Sequence, residues 1–330
     1  MRPLLRLRSG LGLGLGPVVG LALPRTGKRC IASSGIAVPP VDRNGQTTAT
    51  KTTPPVPLYP VPRRPVSFAG RSAIVTGGSR GIGWAIACRL ALEGVSCTLV
   101  GRDEAALQRA VEALPRPAPG PSIGIGSIPS VPGVTAGSDV KHWHMAGDVR
   151  ESSLWGALFA NTADVHFLVN AAGVSQSTLL ARMSPADIRD VLDVNLYGTI
   201  SGCRSAMRAW LKKRSKDRCI LNIASLLAVR GGYGATVYAA SKAGVVGLTR
   251  ALAEEGAGRR IRANVILPGY INTDMIANMS ERQVADMKTR IPMGRFGTPD
   301  EVADAAIFLA KNSYANNCVL NLDGGLSAAS

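Results

Sequence analysis

The chain contains 330 residues, of which 46% are hydrophobic and 18% are charged, so it is long and apolar enough to bury a substantial core. The net charge of +16 is uneven, because residues 1–70 hold ten Lys or Arg residues and a single acidic residue and so contribute +9. Most of the positive charge therefore belongs to the N-terminal segment, which argues against nucleic-acid binding by the remainder.

The N-terminal segment, residues 1–34, has the composition of an organelle import sequence. Arginines are interspersed with leucines in its first eight residues, and no acidic residue precedes Asp42. The uncharged run at 9–24 is 16 residues long, which is shorter than the roughly 20 apolar residues of a membrane span. We expect a mitochondrial transit peptide, a matrix location and no stable membrane insertion. A secretory signal peptide or a cytoplasmic location is the alternative.

The remainder of the chain divides into a linker and one folded domain. Residues 35–70 are rich in proline and threonine, which predicts a disordered linker. The domain is expected to span residues 71–330. A stretch rich in Pro, Gly and Ser at 115–138 contains one charged residue, Arg116, and predicts a surface loop inserted into the domain.

Apolar strand patterns alternate with helical patterns through the domain. Strands are predicted at 72–75, 96–100, 142–145, 165–170, 219–224, 261–267 and 318–322. Helices are predicted at 84–92, 103–114, about 185–212, 235–255 and 299–310. Because the connections are long enough for crossovers, the sequence predicts an α/β fold with a single Rossmann-type, doubly wound parallel sheet and helices on both faces.

The turn after the first strand contains glycines at 77, 81 and 83 and opens a helix. Glycine at such positions lets the backbone turn tightly and approach a pyrophosphate, while the helix N-terminus favours the negative charge. The GxxxGxG spacing differs from the usual GxGxxG fingerprint, and alone it also fits an ordinary strand–helix turn. It therefore indicates a dinucleotide site only together with other features.

The end of the second strand distinguishes between the two nicotinamide cofactors. NAD-binding proteins place a carboxylate there, whereas an arginine accommodates the 2′-phosphate of NADP. Here Arg102 ends the strand, and Arg80 lies in the glycine-rich turn. Two guanidinium groups can bind a phosphate with paired hydrogen bonds, so we expect NADPH/NADP+. The nearby Asp103 is the competing carboxylate, although its position also suits a helix N-cap.

Ser225, Tyr238 and Lys242 form the most informative group of residues. Tyr238 and Lys242 are four residues apart on a predicted helix and so share one face. An ammonium group near a phenol should lower the pKa of the tyrosine, which could then exchange a proton with a carbonyl oxygen. Ser225, at the end of a strand, could hydrogen-bond the same oxygen.

The six cysteines occur without a CxxC pair, and there are only three histidines. This spacing predicts no metal site and no disulfide framework, and it favours reduced thiols in a reducing compartment.

Together these motifs identify the chain as a member of the classical-type short-chain dehydrogenase/reductase family, over roughly residues 71–327. The segments that carry the resemblance are TGGSRGIG at 76–83, VNAAG at 169–173, DVNLYG at 193–198, YAASK at 238–242, PG at 268–269 and LDGG at 322–325.

The resemblance implies roles for individual residues. The implied catalytic tetrad is Asn195, Ser225, Tyr238 and Lys242; Asn195 would hold a water that links Lys242 to solvent, and Lys242 would also bind the nicotinamide ribose. The implied cofactor-binding residues, besides Tyr238 and Lys242, are Gly77, Ser79, Arg80, Gly81, Ile82, Gly83, Arg102, Asp148, Val149, Asn170, Ala171, Gly173, Pro268, Gly269, Ile271 and Thr273.

Within the family, the segments 268–275 and 291–305 resemble the 3-oxoacyl-[acyl-carrier-protein] reductases, and YAASKAG is also close to the mitochondrial carbonyl reductases. We expect NADPH-dependent reduction of a 3-oxoacyl thioester, as in fatty acid biosynthesis. The basic run at 212–214 suits an acidic acyl carrier protein, but it also fits a solvated helix end. Glu254 and Glu255 depart from the pattern, since carrier-protein reductases can carry a basic residue there.

Other functions remain open from sequence alone. The same tetrad would serve a reductase of free carbonyls such as quinones or hydroxysteroids, and the substrate loop expected at 272–290 would decide between them. A non-catalytic NADP-binding subunit of a mixed oligomer is the alternative from another class of protein. The family pattern implies a homotetramer or a mixed tetramer.

Overall fold

The structure is a computed structural model that describes residues 67–116, 140–162, 164–176, 178–213, 217–274 and 280–328. The predicted transit peptide, most of the predicted linker and the inserted stretch beyond Arg116 lie outside these residues.

Seven parallel strands form one sheet with the order β3-β2-β1-β4-β5-β6-β7. The strands are β1 (Ser72–Thr76), β2 (Ser96–Gly101), β3 (Trp143–Ala146), β4 (Val165–Asn170), β5 (Arg218–Ile223), β6 (Ile261–Pro268) and β7 (Val319–Leu322). Each strand lies within one residue of its predicted bounds, so the predicted sheet is confirmed. The chain proceeds outward from β1 to β3 and then returns to β4 beside β1, which creates a crevice at the carboxyl ends of these two strands.

Nine α-helices surround the sheet in the described residues. They are α1 (Gly81–Leu92), α2 (Glu104–Glu112), α3 (Ser152–Asn161), α4 (Pro185–Leu192), α5 (Gly198–Leu211), α6 (Leu227–Arg230), α7 (Thr236–Ala257), α8 (Glu281–Arg290) and α9 (Pro299–Lys311). One apolar cluster packs α1, α2 and α9 on one face of the sheet, and another packs α3, α5 and α7 on the opposite face. Because both faces are covered, the strands read as continuous apolar runs.

The helix predicted as one piece at about 185–212 is interrupted. A π turn, Asp193–Tyr197, joins α4 to α5 and contains the fully buried Asn195. The Thr199 hydroxyl donates a hydrogen bond to the Asn195 carbonyl at 2.8 Å. The wider turn leaves room for the Asn195 side chain, which accepts from Val174 N at 2.8 Å and donates to Val174 O at 3.0 Å.

Three helices were missed in the sequence, namely α3, α8 and the short α6. In α3, Leu154, Trp155 and Leu158 are buried, and the short crossover from β3 to β4 runs through this helix. The helix α8 occupies much of the stretch predicted as a substrate loop. Its N-terminus has a capping box, in which Ser280 and Gln283 satisfy each other's backbone N–H groups. The S-x-x-Q spacing was the available signal for this second helix.

The folded domain begins before the predicted boundary at residue 71. Phe68 is fully buried, and its ring centroid lies 4.8 Å from that of Phe167. The guanidinium group of Arg71 lies 5.2 Å from the same ring, and the ammonium group of Lys311 lies 5.9 Å from it. Phe68 therefore belongs to the core and not to a linker, because its side chain fills the end of the sheet beneath β4.

None of the helices in the described part of the chain is long and apolar enough to cross a membrane. Among the same residues, no group of three His, Cys, Asp or Glu side chains is arranged to hold a metal ion.

Candidate active site

The residues implied by the sequence motifs converge on the carboxyl edge of the sheet. The glycine-rich turn follows β1, Arg102 follows β2, and Asp148 and Val149 follow β3. The segment 170–173 ends β4, Ser225 follows β5, and the segment 268–273 follows β6. Parallel strands bring all of these ends to one edge, so a ligand in the crevice between β1 and β4 meets most of them.

The turn between β1 and α1 fits a dinucleotide. Gly77 and Gly81 have φ angles of +63° and +58°, which favour glycine. A Cβ atom on Gly77 would lie 2.8 Å from the Ala171 carbonyl oxygen, and one on Gly83 would lie 2.3 Å from the Gly77 carbonyl oxygen. The N-cap of α1, Arg80, gives no side-chain hydrogen bond to the helix. The backbone N–H groups of the turn, which includes Ser79 and Ile82, are thus suited to a pyrophosphate.

The two arginines expected to bind a 2′-phosphate lie on different parts of this edge. Arg80 is exposed and forms an ion pair of 3.5 Å with Asp274, which follows β6. Arg102 lies near Asp148, whose pKa it helps to lower. The competing carboxylate, Asp103, accepts a hydrogen bond from Ala106 N at 2.9 Å and is the N-cap of α2. Its role as a helix cap favours NADP over NAD.

Asp148, expected at the adenine, already has a partner in the protein. Its carboxylate accepts from Arg150 Nε at 3.0 Å and from Arg150 Nη2 at 2.6 Å, and Arg150 also binds Asp190 at 2.8 Å. The hydrogen bonds from Arg150 hold the pKa of Asp148 below its usual value. Val149 is buried, and its carbonyl accepts from Trp155 Nε1.

The wall formed by residues 170–173 combines a buried amide with exposed backbone. Asn170 turns its side chain into the core, where Nδ2 donates to Asn222 Oδ1 at 2.8 Å. Thr76 Oγ1 accepts from the N–H groups of Ala171 and Ala172 at 3.1 and 3.2 Å. Asn170 therefore fixes the end of β4, and the backbone of residues 171–173 forms the surface of the crevice.

The four residues of the implied tetrad come together beside this wall. Ser225 is close enough to the Tyr238 phenol to lower its pKa, and Lys242 Nζ lies 5.8 Å from the Tyr238 ring centroid. A Cβ atom on Gly173 would lie 3.2 Å from Asn195 Oδ1 and 3.3 Å from Lys242 Nζ, so a side chain there would crowd both groups.

The pKa of Tyr238 differs from the expectation. Burial raises it above its ordinary value, and the hydrogen bond with Ser225 lowers it only in part. Lys242 is itself buried and donates to the Ile223 carbonyl at 3.0 Å, and burial lowers its pKa to about 8. The prediction that Lys242 depresses the pKa of Tyr238 is therefore wrong, because burial outweighs it and Tyr238 keeps its proton at neutral pH.

The strand end at β6 forms the opposite side of the crevice. Pro268 O accepts from Leu226 N at 2.9 Å, and Gly269 N donates to Leu322 O at 2.9 Å. A Cβ atom on Gly269 would lie 2.8 Å from Asp323, so this strand end packs tightly against the end of β7. Ile271 is buried, and Thr273 faces Gly81 across the crevice, since a Cβ on Gly81 would lie 3.5 Å from Thr273 Cγ2.

An apolar cluster adjoins Ser225 on the side of α8. Leu226, Ile291, Phe296 and Leu326 are buried there, and Tyr270, Val284 and Met287 pack against them. The rings of Tyr270 and Phe296 are 5.8 Å apart. The expected substrate loop contains methionines at 275, 279 and 287. Met287 packs in this cluster, and the other two lie outside the described residues.

Two polar residues at the site were not singled out in the sequence. Ser241 accepts from Asn195 Nδ2 at 3.1 Å and donates to the Tyr238 carbonyl at 2.6 Å. Its place next to Lys242 in YAASK was a signal for it. Gln176 binds the first turn of α7 from the loop after β4. No local pattern marks it, because its partners lie 61 and 62 residues away.

Two family models match the chain. One, described as short chain dehydrogenase, matches residues 71–123, and the other, described as Enoyl-(Acyl carrier protein) reductase, matches residues 132–327. The two matches are separated within the predicted insertion.

Individual relatives match nearly over their full length. Carbonyl reductase family member 4 of Danio rerio is 38% identical over 260 residues, which is 78% of this chain and 98% of the relative. The 3-oxoacyl-[acyl-carrier-protein] reductase FabG of Chlamydia muridarum is 37% identical over 262 residues, with coverage of 79% and 98%. Among solved structures, a putative NAD(P)-dependent gluconate 5-dehydrogenase from Beutenbergia cavernae, with NADP bound at low occupancy, has a TM-score of 0.69 and 34% identity and covers 80% of this chain and 100% of that chain.

Proposed function

The chain belongs to the short-chain dehydrogenase/reductase family and is an oxidoreductase, and from this premise we propose that it uses NADPH to reduce the 3-keto group of an acyl thioester. The observation that carries the proposal is the cluster of Tyr238, Lys242 and Asn195 beside the wall at Gly173, in which burial raises the pKa of the Tyr238 phenol so that it keeps its proton. A proton donor in this place is what a carbonyl reduction requires.

Each residue of the tetrad has a separate task. Tyr238 donates its proton to the substrate carbonyl oxygen, and Ser225 hydrogen-bonds the same oxygen and orients it. Lys242 Nζ, already held by the Ile223 carbonyl, is placed to bind ribose hydroxyls and to return a proton to Tyr238. Asn195 lies in the π turn, close to Tyr238 and Lys242. NADPH, when bound, supplies the hydride.

The choice of NADPH rests on Arg80 and Arg102. Arg80→Ala combined with Arg102→Ala should raise the dissociation constant for NADPH about a hundredfold, because two guanidinium groups are lost, and should change that for NADH about twofold or less. Fluorescence titration with both cofactors measures this. Asp274→Asn serves as a control of opposite sign, since it frees Arg80 from its ion pair and should tighten NADPH binding. Equal effects of the double variant on both cofactors would overturn the assignment.

The thioester substrate is supported by the names of the relatives and by the positive charge at the end of α5. Lys212 and Lys213 are exposed there, although Lys213 lies 3.5 Å from Asp164. This end of α5 adjoins the amino edge of the sheet, opposite Tyr238. Because Tyr238 of the same chain lies at the far edge, docking here requires that the acyl chain enter the site of another subunit of the proposed homomeric or mixed tetramer.

Reduction of free carbonyls is the second candidate, and the apolar cluster favours it. Tyr270, which is only partly buried, offers a ring that suits a quinone or a steroid, and the buried Phe296 ring lies 5.8 Å from it. The relative from Danio rerio, which is named as a carbonyl reductase, supports the same candidate.

A substrate panel separates these functions. NADPH oxidation by the full chain is measured with acetoacetyl-[acyl-carrier-protein], acetoacetyl-CoA, an ortho-quinone and a steroid ketone. We expect the highest kcat/KM with the carrier-bound thioester. A higher value with the quinone or the steroid would preserve the chemistry and overturn the substrate. Absence of turnover with all four, despite NADPH binding, would instead indicate the non-catalytic subunit.

Charge reversal tests the docking surface. Lys212→Glu should raise KM for the carrier-bound thioester and leave KM for acetoacetyl-CoA unchanged, because acetoacetyl-CoA lacks the acidic protein surface that would contact Lys212. Arg109→Glu, on the exposed face of α2, is the matched control and should change neither. A parallel rise in both KM values for Lys212→Glu would contradict carrier docking there. Light scattering on the same samples measures the oligomeric state.

We also propose that the arginine-rich residues 1–34 direct the protein to the mitochondrial matrix. The test is to fuse residues 1–66 to a fluorescent protein and follow it in cells. Mitochondrial fluorescence that is lost when Arg2, Arg6 and Arg8 are replaced by Glu is the expected result. Secretory or diffuse cytoplasmic fluorescence of the unaltered fusion would overturn it.

A further inference from the structure

The helix that carries Tyr238 begins without a capping side chain of its own. The N-cap of α7 is Ala235, which cannot accept a hydrogen bond through its side chain. The first N–H groups of a helix need acceptors from outside the helix. Gln176, in the loop after β4, provides them: its Oε1 accepts from Val237 N at 2.8 Å and from Tyr238 N at 3.2 Å.

Gln176 is itself held in place. Its Nε2 donates to the Thr178 carbonyl at 2.7 Å and lies 3.4 Å from Thr236 Oγ1. Both ends of the amide are therefore engaged, and Oε1 is turned toward the helix. A residue from another part of the chain thus performs the capping that a Ser or Asp at the N-cap usually performs.

A second connection joins the same loop to α7. Val174, two residues before Gln176, binds the Asn195 side chain through both its N–H and its carbonyl. Asn195 Nδ2 donates to Ser241 Oγ, which in turn donates to the Tyr238 carbonyl at 2.6 Å. The backbone N–H of Tyr238 therefore binds the loop at 174–176 directly. The backbone carbonyl of Tyr238 is connected to the same loop through the side chains of Ser241 and Asn195.

From these two connections we propose that Gln176 is a positioning residue that fixes the Tyr238 phenol relative to the cofactor crevice. The inference rests on the proposed role of Tyr238 as the proton donor. The loop of Gln176 continues the wall at 171–173, so the proton donor and the cofactor surface are held by one segment. Displacement of a reacting group by about 1 Å can lower a rate about a hundredfold.

The uncharged side-chain amide of Gln176 also affects the electrostatics of the Tyr238 phenol. Lys242 faces the Tyr238 ring from the same helix, and Ser225 reaches the phenol from the end of β5. A carboxylate in place of Gln176 would still accept the two N–H groups, but it would add a negative charge at the helix end that bears Tyr238. That charge would disfavour the phenolate.

The test compares Gln176→Met, Gln176→Glu and, as matched control, Gln108→Met on the exposed face of α2. Hydrogen exchange of the amides at 236–240 is measured by mass spectrometry in the full chain without substrate. Steady-state reduction is measured with the best carbonyl of the panel and NADPH over a range of pH. Tyr238→Phe is the reference for the proposed function.

We expect Gln176→Met to exchange faster at 236–240 and to lower kcat about tenfold or more, with NADPH binding unchanged. Gln176→Glu should keep the amides protected, restore most of kcat, and move the alkaline limb of the reduction profile to higher pH by about half a unit. Gln108→Met should match the wild type. Unchanged kcat in Gln176→Met, or a Gln176→Glu profile that coincides with the wild type, would overturn the inference. Full activity of Tyr238→Phe would instead refute the proposed function, and the exchange data would still report whether Gln176 caps α7.

Discussion

Lys242 is a charged residue that the fold buries almost completely, with 5% of its surface exposed. Burial disfavours the ammonium form, which is why the pKa of Lys242 falls to about 8. In the unfolded chain the lysine has its ordinary, higher pKa. Below about pH 8 the lysine is charged in both states, and unfolding returns its charge to water, which lowers the free energy of unfolding. The site therefore carries a cost to stability that a catalytic position can retain and a purely structural one would not.

The pH dependence of unfolding should expose this cost. Because the folded pKa is the lower one, the penalty is full below about pH 8 and vanishes as the pH approaches the unfolded pKa. The unfolding free energy of the wild type minus that of Lys242→Met should rise by about 2 kcal/mol between about pH 7 and about pH 9.5. Urea unfolding at both pH values measures it. The matched control is Lys141→Met at an exposed lysine, for which the difference should stay constant.

Tyr238 should be indispensable to turnover. Tyr238→Phe removes only the phenol hydroxyl, so kcat should fall about a thousandfold while the dissociation constant for NADPH changes little. Tyr314→Phe is the matched control, because Tyr314 is 97% exposed at the amino edge of the sheet and should tolerate the same change. Retained turnover in Tyr238→Phe would contradict the mechanism.

At the scale of elements, glycines set how closely α3 and α5 pack behind the site. A Cβ atom on Gly202 in α5 would lie 2.6 Å from the Trp155 ring in α3 and 2.9 Å from Asn170 Oδ1. Gly198, one turn earlier, approaches Val149 in the same way, with 2.7 Å between its added Cβ and Val149 Cγ2. The helix α5 can thus pack closely against the end of β4 because glycines stand at the two contact positions.

Two glycine substitutions should have opposite signs. Gly202→Ala should lower the unfolding free energy by about 1–3 kcal/mol, since the Trp155 ring and the backbone around it are buried and cannot yield easily. Gly156→Ala in α3 meets nothing within 4 Å and should raise it by about 0.5–1 kcal/mol through helix propensity. Thermal unfolding of both variants in parallel is the measurement. Equal effects would mean that the close contact does not limit packing.

At the scale of the whole molecule, Phe68 is the first buried core residue of the domain that the structure describes. Its ring packs against that of Phe167, and the cationic groups of Arg71 and Lys311 lie 5.2 and 5.9 Å from its centroid. Loss of a buried phenylalanine typically costs about 3–5 kcal/mol. The aromatic ring thus has the energetic weight of a core residue although it precedes the first strand.

Truncation should locate this boundary. A chain that begins at Ser67 should unfold at the same temperature as the full chain, whereas one that begins at Arg71 should unfold several degrees lower, because it lacks Phe68. Phe68→Ala in the full chain is the matching variant and should reproduce the lower temperature. If the chain that begins at Arg71 were as stable as the full chain, Phe68 would not belong to the core.

The central strands were predictable because they are apolar runs buried on both faces, and the site largely followed, because residues such as Ser225 and Gly173 come soon after those runs. Three features could not be predicted from the sequence, because they depend on contacts between distant parts of the fold. The π turn has no residue signature, since it is defined by the hydrogen bonds around Asn195. The pKa of Tyr238 depends on how deeply the ring is buried, and the cap by Gln176 depends on a contact between distant segments.

The π turn also makes chain length between α4 and α5 a property with consequences of its own. A helix with one π turn carries one residue more than an α-helix that covers the same distance. Deleting one residue here would therefore let α4 continue into α5 as a regular α-helix, with both helices keeping the same faces toward the core. Met207 and Trp210 would stay buried, whereas the wide turn that accommodates the Asn195 side chain would be lost. A one-residue gap in this segment of a homologue therefore marks an altered active-site architecture, whatever the identity of the neighbouring residues.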